Sequence, residues 1–143
     1  MNASDLLNVL REEAPKIQKC SIRVLLDLKT RQHPYWKREF RTYQQFWPLL
    51  KHSLNAMLLK LGADCIEDDD YNLISQQPCN FAEEKRILKS SLDRIWKTID
   101  SLPRQDSHYH CIVNRESNVF MHNWSVLDSS LDRLINPVIP KKM

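Results

Sequence analysis

The chain has 143 residues, a formal net charge of +3 and a single glycine, Gly62. Phosphate-binding loops need several glycines and tight hairpin turns favour them, so P-loops and dinucleotide-binding fingerprints are excluded and an all-β fold is disfavoured. The apolar runs are much shorter than a membrane span, and the four cysteines include no CxxC pair. We therefore expect a helix-rich protein with no membrane partner, with reduced cysteines and a nuclear or cytoplasmic location.

Positive and negative charge are separated along the chain. Residues 16–60 contain ten lysines and arginines but only two acidic residues, whereas residues 65–80 contain four acidic residues and no basic one. The length fits one domain with its own core. We therefore expect a single helical domain over residues 1–140, with a basic half followed by an acidic loop over residues 63–79.

Proline positions predict two helices at the start of the chain. Ser4 is a suitable N-cap for a short first helix, and Pro15 suits the first turn of a second helix. Pro34 ends the second helix, because a proline disfavours helical geometry in the residue before it.

The clearest periodicity begins at Trp36, where large apolar residues recur at alternating steps of four and three. This stripe consists of Trp36, Phe40, Tyr43, Trp47, Leu50, Leu54, Met57 and Leu61. It predicts an amphipathic helix with one buried face. Pro48 lies inside the pattern and is expected to kink the helix or divide it in two. Gly62 follows the last stripe residue, where a left-handed cap is favoured.

The second half of the chain predicts two more helices and a hairpin. Asn80, with Glu83 three positions later, opens a helix that ends before Pro103. The β-branched and aromatic runs on either side of residues 114–118 predict a β-hairpin over about residues 108–122. A last helix follows from Ser125. The predicted fold is therefore mainly α, a five- to six-helix bundle with one hairpin near the C-terminus.

The basic stretch after Pro34 has two interpretations. Aromatic residues interleaved with cations are typical of surfaces that bind single-stranded nucleic acid. Four of the aromatics, however, fall on the core stripe, and a helix must bury such a stripe. On that interpretation the cations alone remain outside, and the predicted partner-binding residues are Lys37, Arg38, Arg41 and Lys51.

The acidic loop carries the second candidate surface. Glu67, Asp68, Asp69 and Asp70 stand in one run that lacks the glycine and the spaced ligands of an EF-hand. A solvated loop is the simpler interpretation. The alternative is that the run folds over the basic helix face of its own chain or of a neighbour, and so competes with an external anionic partner.

Catalytic and metal-binding patterns are weak. His108 and His110 form the one close pair among the histidines and cysteines of the second half, whereas zinc sites use four ligands that are generally supplied as closely spaced pairs. Cys111 is next to His110, but neighbouring strand residues point to opposite faces. We therefore predict no metal, no cofactor and no catalytic residue.

These patterns favour a non-catalytic protein-interaction subunit or adaptor of a larger intracellular complex, acting through its helical surfaces. The identity of its protein partners is not encoded in any motif. The alternative function is a nucleic-acid-binding helical module that uses the basic aromatic helix.

Overall fold

Four long helices make up most of the chain that the computed structural model describes. The structure describes residues 3–30, 34–67, 79–103 and 107–136, with side chains for residues 4–30, 36–67, 79–103 and 115–136. The helices are α1 (Ala3–Thr30), α2 (Pro34–Lys60), α3 (Phe81–Asp100) and α4 (Ser107–Ile135). No strand occurs in these described ranges, so the prediction of a mainly α fold is confirmed.

The prediction of a β-hairpin over residues 108–122 is wrong, because these residues form the first half of α4. The apolar residues after the polar run 114–118 have a helical spacing, which becomes visible when residues beyond 122 are included. Phe120, Trp124 and Leu127 recur at steps of four and three, and all three are buried. Residues 114–118 therefore belong to the helix, although their polarity is typical of a loop.

The prediction of five to six helices is also wrong, because neither internal proline ends its helix. Pro15 lies within α1 and Pro48 within α2. A proline leaves the carbonyl group four residues earlier without its helical donor. Both prolines are exposed, so each of them lies on the solvent side of its helix, where water satisfies the freed carbonyl.

The helices surround one core in the spatial order α1, α2, α4, α3. Ion pairs from Lys60 to Glu116 and from Arg133 to Glu39 join opposite ends of α2 and α4, which are therefore antiparallel. Lys85 near the start of α3 pairs with Asp132 near the end of α4, so α3 is antiparallel to α4 as well, and the diagonal helices α2 and α3 run in the same direction. The end of α2 and the start of α3 therefore lie at opposite ends of the bundle.

Two helix ends predicted for the middle of the chain, the C-terminal cap at Gly62 and the N-cap at Asn80, are confirmed. Gly62 has a φ angle of 81° and closes α2. Its N–H donates to the Leu59 carbonyl at 3.0 Å and the Ala63 N–H donates to the Leu58 carbonyl at 2.9 Å, which is a Schellman motif. At the start of α3, Asn80 Oδ1 accepts a hydrogen bond of 3.3 Å from the Glu83 N–H.

Gly62→Ala tests the left-handed cap. A Cβ atom at this position would meet nothing within 4 Å, so the cost is that of the positive φ angle alone. We expect the variant to lose about 1–2 kcal/mol of unfolding free energy in urea denaturation. Gly62→Asn should lose less, because asparagine adopts this conformation more readily. An alanine variant as stable as the wild type would contradict the assignment.

Candidate functional site

Two buried carboxylates join α1 to α3. Arg94 Nη1 donates to Glu13 Oε1 at 2.8 Å, and Arg23 Nη1 donates to Glu84 Oε1. Glu13 is 4% exposed and Glu84 is 2% exposed, so either carboxylate would be strongly destabilising without its cation. Ten residues separate the two ion pairs on each helix. Both pairs therefore fit one antiparallel register of α1 and α3.

A third buried carboxylate joins α2 to α4 in the same way. Arg133 Nε donates to Glu39 Oε1 at 2.7 Å, and the Ser130 hydroxyl lies 3.3 Å from the same oxygen. At the other end of this helix pair, Lys60 Nζ donates to Glu116 Oε1 at 2.9 Å. In the described part of the bundle, the buried carboxylates thus form ion pairs with cations of a neighbouring helix.

The environment of Glu13 favours its ionised form. Burial raises the pKa of Glu13, but hydrogen bonds from Ser91 and Arg94 and the charges of Lys16 and Arg94 outweigh burial. The pKa of Glu13 therefore lies below its usual value of 4.5. A general acid at neutral pH needs a raised pKa. Glu13 is accordingly a structural anion rather than a proton donor.

Two other interior groups are held in their neutral forms. Burial, a hydrogen bond with Glu84 and the charge of Glu84 raise the pKa of the Cys20 thiol far above its usual range. Burial also raises the pKa of Tyr43. Because the thiolate is the reactive form of cysteine, Cys20 is not a nucleophile at neutral pH.

The described residues contain no group of three or more histidine, cysteine or acidic side chains that could hold a metal ion. Of the residues weighed for zinc, His108, His110 and Cys111 lie in α4, and their side chains are outside the described part. None of the described helices is long and apolar enough to cross a membrane.

The predicted basic surface is exposed at the start of α2. Lys37, Arg38 and Arg41 are solvent-exposed, whereas the predicted Lys51 is half-buried. None of the three exposed cations has an ion-pair partner among the described side chains. The first turn of α2 contains no acidic residue. We call Lys37, Arg38 and Arg41 the α2 basic surface.

The aromatic residues of the same stretch pack inward. Tyr43 and Trp47 are buried, and Phe40 packs half-buried against the core. The rings of Trp36 and Phe81 lie 5.7 Å apart, which links the start of α2 to the start of α3. The predicted core stripe of α2 is therefore confirmed, and these rings are engaged in packing.

The acidic run begins against α1. Gln18 Nε2 donates to the backbone carbonyl of Glu67 at 2.6 Å, and the Ile66 N–H donates to Asn55 Oδ1 at 2.8 Å. Glu67 thus lies beside the middle of α1 and not on the α2 basic surface. The rest of the run, residues 68–70, lies outside the described residues, and its predicted role stays a prediction.

A second basic surface lies between α1 and α3, and the sequence alone does not predict it. A groove of about 430 Å³ between α1 and α3 is lined by Lys16, Lys19 and Arg23 from α1 and by Arg86 from α3. We call it the α1/α3 groove. The spacing of 16, 19 and 23 already places these cations on neighbouring turns of one helix face. Nothing in the sequence, however, indicates that α3 lies beside that face.

Comparison with known proteins does not indicate a ligand or a partner for these surfaces. No known protein family, no curated protein and no solved structure matches this chain. The function is therefore inferred from the buried ion pairs, the α2 basic surface and the α1/α3 groove.

Acidification tests the state of Glu13. Because its pKa is lower in the folded than in the unfolded protein, Glu13 stabilises the fold fully above its unfolded value and loses that effect as the pH falls through the folded value. We expect the unfolding free energy to decrease as the pH falls below 4.5, and Glu13→Gln to reduce this decrease. Urea denaturation at several pH values measures both effects.

Glu12→Gln is the matched control, because Glu12 pairs with the same Arg94 but its side chain is 57% exposed. This variant should keep the pH dependence of the wild type. If Glu13→Gln and the wild type lost stability equally on acidification, the assignment of Glu13 as a buried anion would be wrong.

Proposed function

We propose that this chain is a non-catalytic protein-interaction subunit that binds an acidic surface of a partner protein through the α2 basic surface. The observation that supports this proposal is the unfavourable position of Lys37, Arg38 and Arg41. Lys37 lies in the first turn of α2, where the helix dipole is positive and no acidic residue offsets it, and Arg38 and Arg41 follow in the second turn. A cation in the first turn costs the isolated helix about 0.3–1 kcal/mol, and the cost decreases beyond that turn.

Local stability does not account for this arrangement. Cations at a helix N-terminus are disfavoured, and three of them in one short stretch also repel each other. Violations of local preference of this kind are expected at functional sites, where the charges meet a complementary partner. An acidic protein surface would supply that complement.

The described interior is consistent with a binding role. Glu13 is held ionised and Cys20 is held as a neutral thiol, so neither is suited to acid–base or nucleophilic chemistry at neutral pH. The support for a protein partner over nucleic acid is the packing of Tyr43 and Trp47 in the core. These rings are not available for stacking with bases.

Reversing the charges of the α2 basic surface separates binding from folding. The triple variant Lys37→Glu, Arg38→Glu and Arg41→Glu should be more stable than the wild type by about 1 kcal/mol, mainly because an acidic residue replaces Lys37 in the first turn, where the helix dipole favours negative charge. The same variant should lose the partners that the wild type recovers from its native cell, as measured by quantitative mass spectrometry. Thermal unfolding reports its stability.

The matched control carries the same charge change on other faces of the bundle, with Arg11→Glu, Lys89→Glu and Lys97→Glu, all of which replace exposed cations. It should keep the partners. The proposal is wrong if the α2 variant keeps its partners, or if control and α2 variant lose them equally. Recovery of RNA instead of protein, with loss of RNA in the α2 variant, would favour the nucleic-acid alternative.

A further inference from the structure

The α1/α3 groove brings cations from two helices to one level of the bundle. In the register set by the Arg23–Glu84 and Arg94–Glu13 ion pairs, Arg86 lies at the level of α1 between Lys19 and Arg23. Four residues of helix span about 6 Å along the axis. Lys19 and Arg86, which line the groove from opposite helices, therefore lie at nearly the same level of the bundle.

Lys19 and Arg86 retain donors for a ligand. Arg23 borders the groove but is not a free donor there, because its Nη1 is held by Glu84 and its Nε is buried. Lys19 has no ion-pair partner among the described side chains. Arg86 pairs with Glu83, but both of these side chains are exposed, so an incoming anion can replace the carboxylate at small cost.

We propose that the α1/α3 groove binds the phosphate group of a phosphorylated residue on a partner protein. A phosphate monoester carries a charge of about −1.5 to −2 and three acceptor oxygens, which suit the forked donors of Arg86 and the ammonium group of Lys19 better than one carboxylate does. Ser90 lines the same groove and adds a hydroxyl donor. Cys20 and Ile87 also line it and offer an apolar surface to the residues beside the phosphate.

The surroundings of the groove favour an isolated phosphate over a nucleic-acid backbone. Glu13 lines the groove and pairs with Lys16 and Arg94 at one end, and Glu83 lies beside Arg86 at the other. On the adjoining outer face of α3, Asp93 stands between Lys89 and Lys97. A polymer of phosphates needs a continuous basic track, which these acidic side chains interrupt. A single phosphate on a peptide needs only the positive centre.

This inference rests on the proposed function only in taking the partner to be a protein. The phosphate site is formed by α1 and α3, whereas the α2 basic surface is formed by the start of α2. Phosphate binding is therefore tested without any partner, and the two proposals fail separately.

The test is a titration of the ¹⁵N-labelled full chain, followed by NMR, with inorganic phosphate and with the tripeptide Ala-phosphoserine-Ala. We expect both probes to shift amides near residues 16–23 and 86–91 in a saturable manner, and Ala-Ser-Ala to shift none of them. Lys19→Gln combined with Arg86→Gln should weaken binding of the phosphopeptide by about tenfold or more, since two charge-assisted hydrogen bonds are removed. Both replaced side chains are exposed, so the fold is retained.

Lys37→Gln combined with Arg38→Gln removes the same charge from the α2 basic surface and should bind the phosphopeptide as the wild type does. Equal weakening in the two double variants would show general attraction to a basic protein and overturn the site. So would the absence of shifts around the groove, or binding of inorganic phosphate without the phosphopeptide. Stronger shifts at the same amides with a uridine oligonucleotide would assign the groove to nucleic acid instead.

Discussion

A carboxylate buried between helices needs a cation at the same level of the neighbouring helix, and this requirement governs the bundle. Glu13 and Glu84 can both be satisfied only if α1 and α3 are antiparallel in one register. Glu39 imposes the same condition on α2 and α4 through Arg133. Lys85 near the start of α3 pairs with Asp132 near the end of α4, so α3 is also antiparallel to α4, and α2 and α3 run in the same direction on the diagonal.

The same requirement determines where the remaining charge lies. Arg23, Arg94 and Arg133 neutralise acidic groups between helices, so they contribute little net charge to the exterior. The cations without such partners lie on helix faces that solvent reaches, at the start of α2 and around Lys19. The register that buries Glu84 also brings Arg86 opposite Lys19. The α1/α3 groove is thus a consequence of the interior ion pairs.

Local patterns in the sequence predict correctly those features that depend on a single helix. The stripe from Trp36 to Leu61, the cap at Gly62 and the N-cap at Asn80 are confirmed. The prediction of a hairpin is wrong because a short apolar run fits the period of a strand as well as that of a helix. The burial of residues such as Phe120 distinguishes the two. The sequence predicts a helix start at Pro15. The structure continues α1 through this proline, which is exposed, and exposure depends on tertiary packing that the local sequence does not show.

The candidate site was predictable in part for the same reason. Lys37, Arg38 and Arg41 were identified as exposed because a single amphipathic helix separates them from its apolar stripe. The α1/α3 groove joins residues such as Arg23 and Arg86, more than sixty positions apart. No spacing rule connects them, since their proximity depends on the buried ion pairs.

The dependence of the bundle on these ion pairs is tested most directly by a double-mutant cycle at Arg23 and Glu84, measured by urea denaturation. Arg23→Met alone and Glu84→Met alone should each cost about 3–5 kcal/mol, because each leaves a buried charge without its partner. The double variant should be more stable than either single variant, since it buries no unpaired charge. Additive losses in the double variant would contradict the account.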